Sequence, residues 1–242
     1  MKLRPRSGKI AVSPHHQADS GTVHKIDPRK IEYQQRRHIH FNSRVDALAV
    51  SGGRARGVTT ADGRAYRGDA VILATGHSAR DVYRMLHSSG VHIEAKGLAI
   101  GVRLEHPQHL IDCLQYHSPQ GRGKYLPAAE YSFVTQVRGR GVYSFCMCPG
   151  GVIVPAATSP DGLVVNGMSA SARAGQRANS GMVVEVRPGD FPEYAHHGSL
   201  QLMALQEELE RSFCRQSGMT LNAPAQRMTD FVRGRLSESL PR

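Results

Sequence analysis

Two cysteines placed two residues apart are the most chemically distinctive feature of this sequence. Cys146 and Cys148 stand in the stretch Cys-Met-Cys-Pro-Gly-Gly, residues 146–151. On a β-strand this spacing would place both side chains on one face, because strand side chains alternate. The glycines that follow would let the backbone bend and approach a ligand. The pair is therefore either a redox-active or pocket-lining thiol site, or two small hydrophobes buried in a strand.

Several polar residues elsewhere suit a substrate pocket. Arg103 and Glu105 share a strand face by the same period of two, and they form either a structural ion pair or, at Arg103, a contact with an anionic substrate group. Asn166 and Ser169 stand in Asn-Gly-Met-Ser and supply polar groups at a glycine turn. No metal site is predicted, because Cys-x-Cys is not a usual zinc spacing and the other cysteines and histidines are scattered.

A third stretch with chemical potential runs from Asp69 to Asp81. The apolar run at residues 70–74 predicts a strand buried on both faces of a parallel sheet. After a turn at Gly76, a helix is predicted with Ser78 as its N-cap and Gly90 as its stop. This arrangement either presents backbone N–H groups to a phosphate or ribose, or is a tight strand-to-helix turn without a ligand. His77 either exchanges protons with a ligand or simply forms a hydrogen bond within the turn.

The elements around these residues predict an α/β chain. Strands at residues 44–50, 54–60 and 64–68 form an antiparallel meander, with glycine turns at residues 52–53 and 62–63. Later strands are predicted at residues 98–105, 142–147, 152–157, 163–165 and 182–186. Residues 108–125 are predicted to be a loop, and residues 199–217 an amphipathic helix that ends at Gly218.

Composition narrows the class of protein. The chain has 242 residues, of which 40% are hydrophobic, and no apolar run approaches the ~18 residues of a membrane span. Four cysteines without a disulfide-like framework favour a reducing cytoplasm. The net charge is +11, but residues 1–40 hold nine Lys or Arg against three Asp or Glu, so +6 lies there and +5 in the remainder. A basic, extended tail at residues 1–37 explains this distribution better than a nucleic-acid-binding surface does.

Four motifs occur in an order that resembles a known family. They are Ala-Thr-Gly-His-Ser-Ala-Arg-Asp at residues 74–81, Ala-Ile-Gly-Val-Arg-Leu-Glu-His-Pro at 99–107, Tyr-Ser-Phe-Cys-Met-Cys-Pro-Gly-Gly at 143–151 and Asn-Gly-Met-Ser at 166–169. Together they resemble a group of bacterial FAD-dependent dehydrogenases, NAD(P)/FAD-dependent oxidoreductases whose substrates are undefined. The similarity covers roughly residues 38–230.

The resemblance implies a fold, a cofactor and a set of site residues. The fold would be a partial two-dinucleotide-binding flavoprotein fold, with the meander and one strand–helix unit of the FAD domain at residues 38–92. A mixed, β-rich substrate domain would follow at residues 93–230, and residues 231–242 would return toward the FAD domain. Ala74, Thr75 and Gly76 would lie near FAD. Arg103, Asn166 and Ser169 would bind an unknown small-molecule substrate, and Cys146, Cys148 and His77 are the catalytic candidates. NAD(P)H remains open as a second nucleotide.

Two features that such enzymes carry are missing from this sequence. It contains no Gly-x-Gly-x-x-Gly, the fingerprint that grips the FAD pyrophosphate, and no C-terminal Gly-rich segment that closes over the flavin. The chain is therefore interpreted as the central part of a longer oxidoreductase, unable to hold FAD alone and inclined to self-associate through unpaired strands. The alternative is a non-enzymatic fragment whose basic tail binds acidic partners.

Overall fold

The computed structural model describes residues 38–240, so the tail predicted at residues 1–37 lies outside the described part. The chain divides into two compact units between Glu94 and Ala95. Each unit is built on antiparallel sheets, and helices accompany both. The protein is therefore of mixed α/β class, but the parallel sheet expected for a dinucleotide-binding domain is not formed by the described residues.

The first unit begins with the predicted meander. Its strands are β1 (Val45–Ser51), β2 (Arg54–Thr60) and β3 (Ala65–Arg67), paired antiparallel in the order β1-β2-β3. Gly52 and Gly53 turn the chain between the first two strands with φ of +58° and +72°, a combination that favours glycine because it has no Cβ. The meander prediction is confirmed.

The strand predicted at residues 70–74 is wrong. Residues 68–79 form no regular element, and none of residues 70–74 is buried. A central strand of a parallel sheet needs a hydrogen-bonded neighbour along each edge, and no strand among residues 38–240 pairs with this run. The apolar composition alone therefore does not produce the element.

A helix follows, but it begins later than predicted. Helix α1 spans Arg80–Ser88 with Ala79 as its N-cap and no side-chain cap. The Ser78 hydroxyl is not a cap, because it lies 3.0 Å from His77 Nδ1. The predicted stop at Gly90 is confirmed: its φ is +73°, and its N–H donates to the His87 carbonyl while the next N–H donates to Leu86.

In the second unit, residues 95–240 form six strands and three α-helices. The strands are β4 (Leu98–Pro107), β5 (Val134–Val137), β6 (Arg140–Cys148), β7 (Gly151–Ala156), β8 (Val164–Ser169) and β9 (Arg177–Val186). Four of them form an antiparallel sheet in the order β4-β9-β6-β5, and β7 pairs with β8 in a second sheet. The helices are α2 (Gln108–Tyr116), α3 (Gln201–Gln216) and the short α4 (Met228–Val232), and a 3₁₀ helix (Pro192–Leu200) precedes α3.

Helix α2 replaces part of the predicted loop at residues 108–125. Pro107 directly precedes it with φ −58° and ψ 129°, and His117 ends it in the left-handed conformation. Ile111 on this helix packs with Ala129 and Ala178 in one buried cluster. Packing against residues distant in sequence therefore stabilises the helix. Pro119, Gly121 and Gly123, which favoured a loop, lie after its end.

Helix α3 packs on the other end of the four-stranded sheet. Leu202 and Leu205 on this helix form a buried cluster with Val186 on β9. The helix begins at Gln201 rather than at residue 199, because Gly198 has the non-helical φ of 56° and ψ of −127°. Gly218 ends it as predicted, with φ +67° and an N–H that donates to the Arg215 carbonyl at 3.0 Å. Within residues 38–240, no helix has the length and apolar character needed to cross a bilayer.

Candidate functional site

The Cys-Met-Cys-Pro-Gly-Gly segment forms a bulged strand end and a tight turn. Phe145 pairs with Gly181 and Cys148 pairs with Asn179, so β6 uses three steps where β9 uses two. The extra residue is accommodated by Cys146, whose φ is +49°. Gly150, with φ +60°, then turns the chain into β7.

The bulge overturns the prediction that the two cysteines share a strand face. Cys146 is exposed, whereas Cys148 is buried with 7% of its surface accessible. Regular alternation cannot relate them, because the extra residue lies between Phe145 and Cys148. Burial raises the pKa of the Cys148 thiol, and the charge of Arg103 only partly opposes this rise. Cys148 is therefore a neutral thiol near pH 7.

Arg103 is the centre of the polar contacts around this segment. Its Nη2 donates to the Cys146 carbonyl oxygen at 2.6 Å and lies 3.5 Å from Cys148 Sγ. Its Nε donates to Asn179 Oδ1 at 2.8 Å, and its Nη1 donates to Asn166 Oδ1 at 3.3 Å. Arg103 therefore joins β4, β6, β8 and β9 in one cluster. Four residues that the sequence analysis singled out meet there: Arg103, Cys146, Cys148 and Asn166.

No carboxylate of the described residues neutralises the guanidinium charge of Arg103. The predicted alternative, an Arg103–Glu105 ion pair, is wrong because Glu105 Oε1 binds Arg177 Nη1 at 3.0 Å. Among residues 38–240, the hydrogen-bond acceptors of Arg103 are two amide oxygens, a backbone carbonyl and a thiol, all of them neutral. A half-buried cation with neutral partners favours the approach of an anion.

Asn179 supports Arg103 from the interior and is a residue that the sequence did not point to. Its side chain is fully buried, and its Oδ1 accepts the hydrogen bond from Arg103 Nε. This bond fixes the amide orientation, because a flipped amide would direct its NH₂ at the guanidinium. Its Nδ2 is left as a buried donor without a partner among the described atoms, which is uncommon in folded proteins.

Gly167 is the residue that lets the cluster close. A Cβ at this position would lie 2.3 Å from Arg103 Nη2, 2.4 Å from Asn179 Oδ1 and 2.5 Å from Cys148 Sγ. The glycine turn predicted at Asn166 and Gly167 is wrong, because both residues lie within β8 and pair with β7. Asn166 contacts Arg103, and Gly167 provides the space for the cluster. Ser169 serves the turn instead, since its Oγ donates to the Pro149 carbonyl at 2.8 Å.

A buried network beneath the turn was also missed in the sequence. Gln108, at the start of α2, accepts a hydrogen bond from the Gly150 N–H at 2.7 Å and donates to Asp112 Oδ1 at 2.8 Å. Asp112 Oδ1 also accepts from the Ala129 N–H. Both side chains are buried, and no local signal identifies them because they lie on the helix predicted as a loop. The hydrogen bonds of Gln108 and Asp112 therefore fix the turn at Gly150 against α2.

A histidine–tyrosine pair lies at the end of the same sheet. His106 Nε2 is 2.7 Å from the Tyr131 hydroxyl, and the rings meet edge to face. Burial lowers the pKa of His106 and raises the pKa of Tyr131. Both groups are therefore neutral near pH 7, and the pair is a satisfied polar contact on the sheet.

The other predicted site residues lie in the first unit. Ala74, Thr75 and Gly76 are exposed and line a small depression together with Leu73, Val82 and Tyr83. Gly76 has φ +77°, and the position of a Cβ there would meet no atom within 4 Å, so the backbone is open to a ligand. His77 is exposed and forms a hydrogen bond with Ser78. This contact agrees with the second interpretation of His77, a hydrogen bond within the turn.

The chain is similar to proteins associated with FAD. A family model described as "FAD-dependent protein, C-terminal domain-like" matches residues 97–242. A protein of Clostridium beijerinckii, named only "Uncharacterized protein", is 41% identical over 204 residues, which are 84% of this chain and 37% of that protein. The chain therefore spans little more than a third of the length of this relative. Among residues 38–240, no three His, Cys, Asp or Glu side chains are grouped to hold a metal ion.

Proposed function

This chain belongs to the FAD-dependent protein family, and from that premise we propose that it supplies the substrate-binding unit of an FAD-dependent oxidoreductase. The substrate site is the cluster around Arg103 in the unit of residues 95–240. The first unit, residues 38–94, is the part that approaches the cofactor. FAD held beside residues 74–76 would supply the acceptor for a hydride, two electrons with one proton, from the substrate.

The observation that carries this proposal is the state of the Arg103 guanidinium. It is held by hydrogen bonds from three of its nitrogens, yet every acceptor within the described part of the chain is neutral. Orientation by several fixed groups lowers the entropy cost of binding, and an uncompensated charge gives an anionic substrate something to neutralise. Arg103 and Asn166 therefore bind an anionic group of the substrate, while Ser169 keeps the adjoining turn in shape.

The described residues fit only a partial contact with FAD. The open backbone at residues 74–76 suits an approach by the ribose or ring system, because Gly76 carries no side chain. The sequence contains no Gly-x-Gly-x-x-Gly, the element that would hold the pyrophosphate at a helix N-terminus. We therefore assign a secondary role in contacting FAD to Ala74, Thr75 and Gly76. A role for NAD(P)H as the partner that exchanges electrons with FAD is compatible with the same family.

The cysteines and His77 receive different roles in this proposal. Cys148 is buried and its pKa is raised, so it shapes the site as a neutral thiol rather than attacking the substrate. Cys146 is exposed at the bulge and is the better candidate for redox chemistry. His77 is exposed in the first unit and is available for proton exchange with solvent.

A chimera tests the proposal directly. In the 41% identical Clostridium beijerinckii protein, the 204 matching residues are replaced by those of this chain. We expect the purified chimera to contain FAD and to show anaerobic bleaching of the flavin bands with an organic acid substrate or with NADH or NADPH. Arg103→Gln should raise KM for an anionic substrate with a smaller effect on kcat, because a binding contact is lost.

Matched variants separate the site from the surrounding fold. Arg54→Gln removes an exposed arginine in the other unit and should leave KM unchanged. Cys148→Ser should alter the flavin spectrum or turnover more than Cys214→Ser, because Cys214 is buried in α3, away from the Arg103 cluster. A chimera that binds FAD but is reduced by no donor, or in which Arg103→Gln and Arg54→Gln behave alike, would refute the proposal.

A further inference from the structure

We propose that the Arg103 site selects amphipathic organic anions, with a carboxylate on the guanidinium and a planar apolar group on Phe145. The inference rests on the proposed function only in treating this cluster as the substrate site. Its content is the chemical class of the ligand, which the family does not specify.

The geometry of the sheet places Arg103 and Phe145 in one row. Arg103 on β4 pairs with Gly181 on β9, and Gly181 pairs in turn with Phe145 on β6. Residues directly opposite one another in antiparallel strands project to the same face. Two strand spacings of about 4.8 Å separate the Cα atoms of Arg103 and Phe145, so about 10 Å lies between them.

The residue between them is a glycine, so no side chain separates the cation from the aromatic ring. Arg103 extends across this position, because its Nη2 reaches the Cys146 carbonyl on β6. The guanidinium is therefore brought toward the strand that carries Phe145. A ligand of the size of a substituted benzene ring can contact both groups at once.

The surface beside this row is apolar and accessible. Phe145 is 60% exposed, and Val134 on the edge strand β5 is 77% exposed. Val134 pairs with Tyr143, which pairs with Val183, so the next row on the same face is also apolar. An inorganic anion would use Arg103 alone and leave these side chains in water, whereas an aromatic carboxylate would cover them.

Charge supports the same class of ligand. Glu105, the carboxylate nearest in sequence to Arg103, is bound to Arg177. Asn179, the residue that holds Arg103 Nε, is a neutral amide in a position where an aspartate would neutralise the guanidinium. An amide with nearly the shape of a carboxylate thus orients the guanidinium without neutralising its charge.

The experiment measures ligand binding by the 242-residue chain, without FAD or turnover. Isothermal titration calorimetry compares three probes: benzoate, acetate and benzyl alcohol. We expect benzoate to bind, and acetate and benzyl alcohol each to bind at least about tenfold more weakly, because each lacks one of the two groups. Similar affinities for benzoate and acetate would overturn the apolar half of the proposal, and similar affinities for benzoate and benzyl alcohol would overturn the anionic half.

Three variants test the named residues. Asn179→Asp retains the acceptor for Arg103 Nε but adds a negative charge, so benzoate affinity should fall at least about tenfold while Arg103 is still present. Arg103→Gln should abolish benzoate binding. Phe145→Ala should weaken benzoate but not acetate, and it should fold normally because Phe145 is largely exposed. Phe231→Ala, a phenylalanine with 61% exposure on α4, is the matched control and should have no effect.

The outcomes distinguish this inference from the proposed function. If the chain does not bind benzoate, or if Phe145→Ala and Phe231→Ala behave alike, the ligand class is wrong, whatever the chimera does. If benzoate binds as described but the flavin of the chimera is never reduced, the oxidoreductase proposal fails and the anion site remains. Thermal unfolding of each variant shows whether a loss of benzoate binding reflects a lost site or an unfolded chain. If Arg103→Gln unfolds, the benzoate affinity of Phe145→Ala tests the proposed ligand class instead.

Discussion

Arg103 on β4 donates a hydrogen bond to the carbonyl oxygen of Cys146 on β6 at 2.6 Å, although β9 lies between their strands. Two features make this bond possible. The bulge turns the Cys146 backbone out of the regular ladder, and β9 has a glycine where the arginine crosses. The bond couples the shape of the Cys-Met-Cys-Pro-Gly-Gly segment to the position of the charged Arg103 side chain.

Gly167→Ala is expected to break this cluster. The new methyl group would meet Arg103 Nη2, Asn179 Oδ1 and Cys148 Sγ at 2.3–2.5 Å, and the last two are buried and have little room to move. We expect a loss of about 1–3 kcal/mol in the free energy of unfolding, measured with urea. Gly141→Ala is the control, because its Cβ would meet only Gln136 Nε2 at 3.8 Å. Equal effects of the two substitutions would contradict the packing described at Gly167.

The stability of the second unit should fall in acid through Asp190. The hydrogen bond from Arg140 and the backbone N–H of Arg187 lower the pKa of Asp190 from 3.8 to about 2. A carboxyl group whose pKa is lower in the folded state stabilises the fold above its unfolded pKa, and this contribution is lost as the pH falls through the folded value. The midpoint of urea unfolding should therefore drop between pH values of about 4 and 2. Asp190→Asn should remove that part of the drop, and an unchanged pH profile in this variant would count against the ion pair.

Cys146 should react with iodoacetamide faster than Cys148. The first is exposed, whereas the second is buried and has a raised pKa, so little of it is thiolate at neutral pH. Peptide mass spectrometry after brief alkylation of the native chain measures both sites in one sample. Cys214, also buried, is the internal control for slow labelling. If Cys148 is labelled as fast as Cys146, the bulge does not separate the two thiols.

The 242-residue chain by itself should not retain FAD. Residues 74–76 offer a few backbone contacts, but the pyrophosphate needs the N–H cluster of a glycine-rich helix start, and the sequence lacks that fingerprint. The test is the absorbance in the flavin bands after reconstitution with excess FAD and gel filtration. A stoichiometric yellow complex would show that this chain binds FAD by another route.

Any affinity for polyanions should reside in residues 1–37. This segment lies outside the described residues, but residues 1–40 carry a net charge of +6 out of +11. Deleting residues 1–37 should remove most binding to RNA in a filter assay at low salt, and the binding of the intact chain should fade as salt rises. Sequence-specific RNA binding that survives the deletion would favour the alternative of a non-enzymatic interaction protein.

Local patterns predicted the parts of the fold that depend on local pairing. The meander and the cores of β4, β6, β7 and β9 follow from short runs of β-forming residues bounded by glycine, proline and polar residues. The helix stops at Gly90 and Gly218 were also predictable, because left-handed positions favour glycine. The strand at residues 70–74 was not, since a buried parallel strand exists only with its neighbours.

The site was predictable in its residues but not in its arrangement. Arg103, Asn166 and Cys148 were singled out in the sequence, and they meet in one cluster. Asn179 was missed because it lies 76 residues from Arg103 and its importance comes from strand register. The separation of the two cysteines was missed for the same reason, since the extra residue of a bulge is recognised only from the register with the partner strand.

The bulge in β6 also makes this strand sensitive to changes in length. Removing one residue between Phe145 and Cys148 would let the two strands pair step for step, as they do between Val142 and Phe145. The strand would become more regular, yet the Cys146 carbonyl would rejoin the ladder and leave Arg103 without its shortest hydrogen bond. A single-codon deletion here is therefore expected to leave the sheet foldable while removing the site. The site thus depends on the number of residues between Phe145 and Cys148 as well as on their types.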